Sequence, residues 1–224
     1  MATRDFETLA VRLQPTVPGC PRQTIVKYIR DAAIKTCERT LAWRYQVPKF
    51  DLTPGTYLYD YRQPFDSEVH AVFKVFMNGA PLEVLTLDRA LELYPAWADK
   101  YTTSGDIATY GSQPRSVTEV SPSQFAVLPL PDAVRTYTVR MFVALKPTRG
   151  ASGMDEVIFD DLEDTIMHGA LQMLLVLPKT NWADRELAAY HAKQHLSQLV
   201  ERRARANLGS ARATFSAQMQ PFGA

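Results

Sequence analysis

The pattern of hydrophobic and polar positions is clearest from residue 155 to 208, where it predicts two long helices folded back on each other. The first opens on an acid-rich turn, Asp155-Glu156 and then Asp160-Asp161-Leu162-Glu163-Asp164, where carboxylates meet the unpaired N–H groups of a helix start. Apolar residues follow at helical spacing: Ile158, Leu162, Ile166, Ala170, Met173 and Leu177. Around Leu171, Leu174, Leu175 and Leu177 the chain is apolar on every side, which predicts burial all round, by its own domain or by a neighbouring subunit. Pro178 stops this helix and Lys179-Thr180-Asn181 makes a tight connection. The second helix starts near Trp182, carries Leu187, Tyr190, Leu196, Leu199 and Val200, and ends at Asn207-Leu208-Gly209. So short a connection makes the two antiparallel neighbours.

Upstream, Phe6, Leu9 and Leu13 suggest a short helix or loose arm broken by Pro15, Pro18 and Pro21. A firm amphipathic helix follows, with Ile25, Ile29, Ala32, Ala33, Cys37 and Leu41 on one face and Lys27, Arg30, Asp31, Lys35, Glu38 and Arg39 on the other. From Tyr45 the period changes to two. Strands are predicted over 46–52, 56–61, 69–77 and 80–85, the last two joined by Asn78-Gly79, a two-residue turn whose positions both tolerate φ > 0. A short helix capped by Thr86 precedes Pro95, residues 99–114 are polar and turn-rich, and strands resume over 116–120, 125–128 and 136–144. The fold expected from this order is α+β. An antiparallel helical bundle (1–46 and 151–208) carries a β-sandwich or barrel-like insertion (47–150), and an extended C-terminal tail (209–224) follows.

Composition narrows the function classes. A net charge of +1 over 224 residues argues against a dedicated nucleic-acid binder. Cys20 and Cys37, the only cysteines, could in principle pair, but without other extracellular signs they fit reduced, packed thiols better. The N-terminus shows no apolar leader, and no apolar run approaches the ~18–20 residues of a membrane span, so a cytoplasmic protein, or part of something assembled there, is expected. His191 and His195 stand one helical turn apart, a spacing used by helical zinc sites, and a metal-binding enzyme using that pair is the alternative reading of the chain. Lys193 departs from the metalloprotease pattern, and two surface histidines on a polar helix face account for the pair more simply. His168, between Ile166 and Ala170, reads as an interior histidine. Arg202, Arg203 and Arg205 could contact phosphate, but arginines also suit a helix C-terminus. No nucleophile elbow and no phosphate-cradling glycine loop is present, and no catalytic residue, metal ligand or cofactor is assigned. The tail spaces Phe215, Met219 and Phe222 too widely for a core. It reads equally as a frayed terminus or as a peptide that orders in a partner's groove.

The order of parts resembles the head-to-tail adaptor (connector or head-completion) proteins of tailed bacteriophages, including the tail tubular adaptor of short-tailed phages. The amphipathic helix from Thr24 to Trp43 carries the resemblance, with the hairpin Val75-Phe76-Met77-Asn78-Gly79-Ala80-Pro81-Leu82 and the segment Leu91-Glu92-Leu93-Tyr94-Pro95-Ala96-Trp97. So do Phe125-Ala126-Val127-Leu128-Pro129-Leu130-Pro131-Asp132, the strand ending Ala144-Leu145-Lys146-Pro147, and the final helix pair. The resemblance implies a structural, non-enzymatic virion subunit made in the host cytoplasm. It would form a dodecameric ring at the head–tail interface, dock on the portal protein after packaging and help retain the DNA that passes through its channel. It would also offer a platform to tail, nozzle or tail-completion proteins, with no membrane involved. Under that reading Phe215, Met219, Phe222 and Arg212 are portal anchors. Leu171, Leu174, Leu175 and Leu177 pack the bundle core or the space between subunits.

Overall fold

Strong local signals set most elements of the computed structural model, which describes residues 2–95, 97 and 113–208. In chain order these are β1 (Thr3–Asp5), α1 (Phe6–Leu13), α2 (Arg22–Thr40), β2 (Arg44–Asp51), β3 (Leu58–Asp60), β4 (Ser67–Met77) and β5 (Ala80–Leu85). Then come α3 (Leu87–Leu93), β6 (Ser116–Ser121), β7 (Gln124–Leu128), β8 (Thr138–Pro147), β9 (Gly153–Asp155), α4 (Glu156–Leu174) and α5 (Arg185–Leu208). The tail 209–224 and most of the 99–114 loop lie outside the described residues.

A helical bundle with an inserted sandwich does not form. Seven strands join in the order β2-β8-β4-β5-β6-β7-β3 into one curled sheet, a half-barrel in a mixed α/β fold; the other sheet among the described residues is the two-stranded β1–β9 pair, too small to make a sandwich with it. Curling brings the two edge strands together: the rings of Phe50 on β2 and Tyr59 on β3 lie 6.2 Å apart, with Phe125 of β7 against both. Register shifts at Val47/Phe50 in β2 and at Val69/Ala71 and Val72/Lys74 in β4 supply the extra residues that bend a sheet in this way. Pairing is antiparallel except between β5 and β6, whose parallel crossover carries α3.

The helices share their core with the sheet. Ile25 and Ile29 of α2 and Phe159, Leu162 and Ile166 of α4 belong to one continuous apolar cluster with Val139, Met141, Val143 and Leu145 of β8. Val143, Ala144 and Leu145 are all fully buried, so β8 is covered on both faces there, by the curl on one side and by α2 on the other. This covering is the physical reason that the β region is not a free-standing insertion.

Residues 2–21 are held on this core as a strand and a short helix and not as a loose arm. β1 pairs with β9, and α1 buries Phe6, Leu9, Ala10 and Leu13. Arg4 reaches Glu156 at 2.8 Å and Asp160 at 2.7 Å on the first turns of α4. Asp155 caps α4 by accepting from the Ile158 N–H, and Asp184 accepts from Leu187 N–H at the start of α5, which begins later than Trp182. Cys20 and Cys37 are free and buried, and burial pushes the Cys37 thiol up to about 12, leaving it protonated and unreactive near neutral pH.

Candidate functional site

The histidine pair sits in the seam between α4 and α5. His191 and His195 are 8% and 6% exposed, so the face expected to be polar surface is the buried one. His168 Nδ1 and His191 Nδ1 stand 2.7 Å apart, a hydrogen bond in which one ring donates and the other, necessarily neutral, accepts. His195 Nδ1–H donates to the Thr165 carbonyl at 2.9 Å, and Gly169 leaves room for its ring: a Cβ there would meet His195 Cε1 at 2.8 Å. The two imidazoles therefore engage partners one turn apart on α4 and do not converge on a point. Among the described residues no group of three or more His, Cys, Asp or Glu is placed to hold a metal ion.

Burial lowers the proton affinity of all three histidines. His168 also disfavours charge on His191, Asp164 pulls His168 partly back, and Arg39, His168 and Lys35 push His195 further down against the Thr165 carbonyl. Each ring binds its proton more readily in the unfolded chain, where the ordinary value is about 6.5. Their contribution is thus complete above that pH and is lost as pH falls below it. Acidification from about pH 7.5 to about pH 5.5 is expected to lower the melting temperature by about 5 °C. A His168→Asn/His191→Asn double variant should show a shallower slope, and a wild-type melting temperature that holds steady over that range would contradict the seam.

The acidic stretch is consumed within the chain. Besides the Arg4 pairs, Arg12 binds Glu163, and Arg202 and Arg205 both reach Asp161. Two of the three arginines considered for phosphate contact are thereby engaged with a carboxylate. Leu171, Leu174 and Leu175 are buried in the chain's own core, Leu177 is half-buried against it, and Val176 is exposed. Arg212, Phe215, Met219 and Phe222 lie outside the described residues.

On α5 the apolar residues do not share one side. Leu199 is buried, whereas Tyr190, Leu196 and Val200 are 53%, 58% and 65% exposed; Leu196 and Val200 stand one turn apart, while the Tyr190 ring lies edge-on to His168 of α4 at 6.4 Å.

A second surface escaped the sequence reading. Over β5–β7 the outer face of the sheet is covered by α3, which closes a small cluster of Leu85, Ala90, Ala126 and Leu128. Over β2, β8 and β4 it is open. There Phe142 stands opposite Gln46 and Lys74, and Arg140 opposite Phe76. Phe76 and Phe142 meet edge to face at 6.1 Å, and the Arg44 guanidinium lies 4.9 Å from the centre of the Phe73 ring. Two shallow grooves of about 610 and 580 Å³ run side by side across this face, sharing Lys74 and Phe142. The usable signal was the non-core half of each alternation, Lys74 and Phe76 in one strand and Arg140 and Phe142 in the other. No family model and no curated protein matches this chain.

Proposed function

We propose that the chain is a structural adaptor subunit of a tailed-phage neck. It forms a dodecameric ring that docks on the portal protein after packaging, helps retain the DNA in its channel and presents a platform to the tail. The observation that carries this reading is the exposed apolar pair Leu196 and Val200, one turn apart on a 24-residue helix that buries Ala188, His191, His195 and Leu199. A ring subunit needs an apolar side for its neighbour, and repetition of one modest contact around a closed ring is enough to hold the assembly. The order of elements over 20–208 that resembles phage adaptors supports the same reading. Phe215, Met219 and Phe222, with Arg212, serve in it as portal anchors, and Leu171, Leu174, Leu175 and Leu177 pack the subunit from which the ring is built.

The test is a Leu196→Glu/Val200→Glu variant. Both side chains face outward, so its stability should stay within about 1 kcal/mol of wild type, while assembly into rings on the portal is lost. Rings formed by this variant at wild-type concentration would remove α5 from the subunit contact.

A further inference from the structure

We infer that the open face of β2, β8 and β4 binds single-stranded nucleic acid. Four cations line it, Arg44, Lys49, Lys74 and Arg140, and none of them is in an ion pair among the described residues. The contrast with Lys146 on β8 is informative. Where that strand passes under α2, its lysine is neutralised by Glu38 at 2.7 Å and Glu68 at 3.2 Å. On the open face the carboxylates next to these strands among the described residues are Asp51, at the rim and accepting from the Thr138 hydroxyl, and Glu83, one residue beyond the β4–β5 ladder. A concentrated positive charge in a chain of net charge +1 calls for an anionic partner.

The rings decide which anion. Phe73, Phe76 and Phe142 are only half-buried, on a sheet surface that no helix among the described residues covers. An acidic peptide would satisfy the cations and leave these rings in water. Duplex DNA would likewise offer phosphates while keeping its bases stacked inside. A single strand satisfies both features, with phosphates on Arg44, Lys49, Lys74 and Arg140 and unstacked bases lying on the phenylalanines. The outward face of the curled sheet leaves the rings half-exposed, and Arg44 on Phe73 shows how a planar cation can already stack there. The specificity expected is for strandedness and not for sequence, because every base has a face to stack and no helix among the described residues lies on this side to read a groove.

This inference is independent of ring assembly, and its test uses the full chain. Fluorescence anisotropy with a labelled 15-nucleotide oligothymidine should show binding that weakens steeply with salt. Phe142→Ala should weaken it about 5- to 100-fold, as loss of one base stack requires. Lys74→Gln/Arg140→Gln, at solvent-facing positions, should keep the wild-type melting temperature and reduce the salt dependence. If Phe142→Ala disturbs folding, Phe142→Leu, which keeps the volume and loses the ring face, gives the same readout. Three results would overturn the proposal: no binding at low salt, a 15-base-pair duplex bound as tightly as the single strand, or displacement of the strand by polyglutamate at equal charge concentration. Unchanged affinity in both phenylalanine variants would do so as well.

Discussion

Phe125→Ala is expected to cost about 4 kcal/mol, the range for removing a fully buried phenylalanine from a packed core. Phe125 has no exposed surface and is ringed by Tyr61 at 5.0 Å, Tyr59 stacked at 5.7 Å and Phe50 at 6.0 Å. These rings come from β3, from the segment just after it and from β2, so one side chain bridges the two edges of the curled sheet. β3 has only three residues and pairs only with β7, which makes it dependent on that aromatic contact. The loss should therefore appear as a lower urea midpoint and as faster amide exchange at residues 58–60, ahead of the helices. Phe125→Leu, which retains apolar volume, should fall between the variant and wild type. An unchanged midpoint in Phe125→Ala would mean that the sheet does not close around this ring.

Gly153→Ala should cost about 3 kcal/mol, as severe overpacking does. At about 2–4 °C per kcal/mol for a chain of this size, the melting temperature would fall by roughly 6–12 °C. A Cβ at Gly153 would lie 2.1 Å from the Arg4 carbonyl oxygen and 2.8 Å from its carbon, both backbone atoms of the paired strand. No side-chain rotation can relieve that contact. β1 must leave β9, and with it go the Phe6 N–H to Ser152 carbonyl bond at 3.0 Å and the packing of Phe6 on Phe159. Limited proteolysis should then release the first 13 residues, β1 and α1, before the remainder is cut. Gly150→Ala is the matched control, since a Cβ there meets nothing within 4 Å and should leave stability unchanged. Equal melting temperatures for the two variants would show that the N-terminal strand is dispensable.

Local chemistry made much of this fold legible. Asn78 and Gly79 adopt φ of 50° and 87°, as a tight hairpin demands, Thr86 caps α3, and Asp155 caps α4. The apolar face of α2 is buried as its period indicated. What the sequence hid is non-local. Pairing of β2 with β8 joins residues near 45 to residues near 143, pairing of β4 with β8 joins residues near 72 to the same strand, and with the β5–β6 crossover these contacts turn separate hairpins into a curled sheet. The Gly153–Arg4 approach is equally invisible, because a glycine in a linker gives no sign of the strand that needs it.

The phase of α5 was misleading for a chemical reason. Histidine counts as polar in any pattern, yet a neutral ring bonded to Thr165 or to His168 buries at little cost, so His191 and His195 occupy the seam. Tyr190, Leu196 and Val200 count as core and are left outside. On the sheet, reading the alternation for its core half passed over Lys74, Phe76, Arg140 and Phe142, whose meaning depends on whether a helix covers them. The helix thus packs through His191, His195 and Leu199 and leaves Leu196 and Val200 exposed among the described residues.

Electron microscopy of the purified protein mixed with portal rings tests the central claim most directly. The account predicts an added dodecameric ring on one end of each portal, present with the wild-type chain and missing with Leu196→Glu/Val200→Glu. Portals that remain bare at saturating concentrations of folded wild-type protein would contradict it.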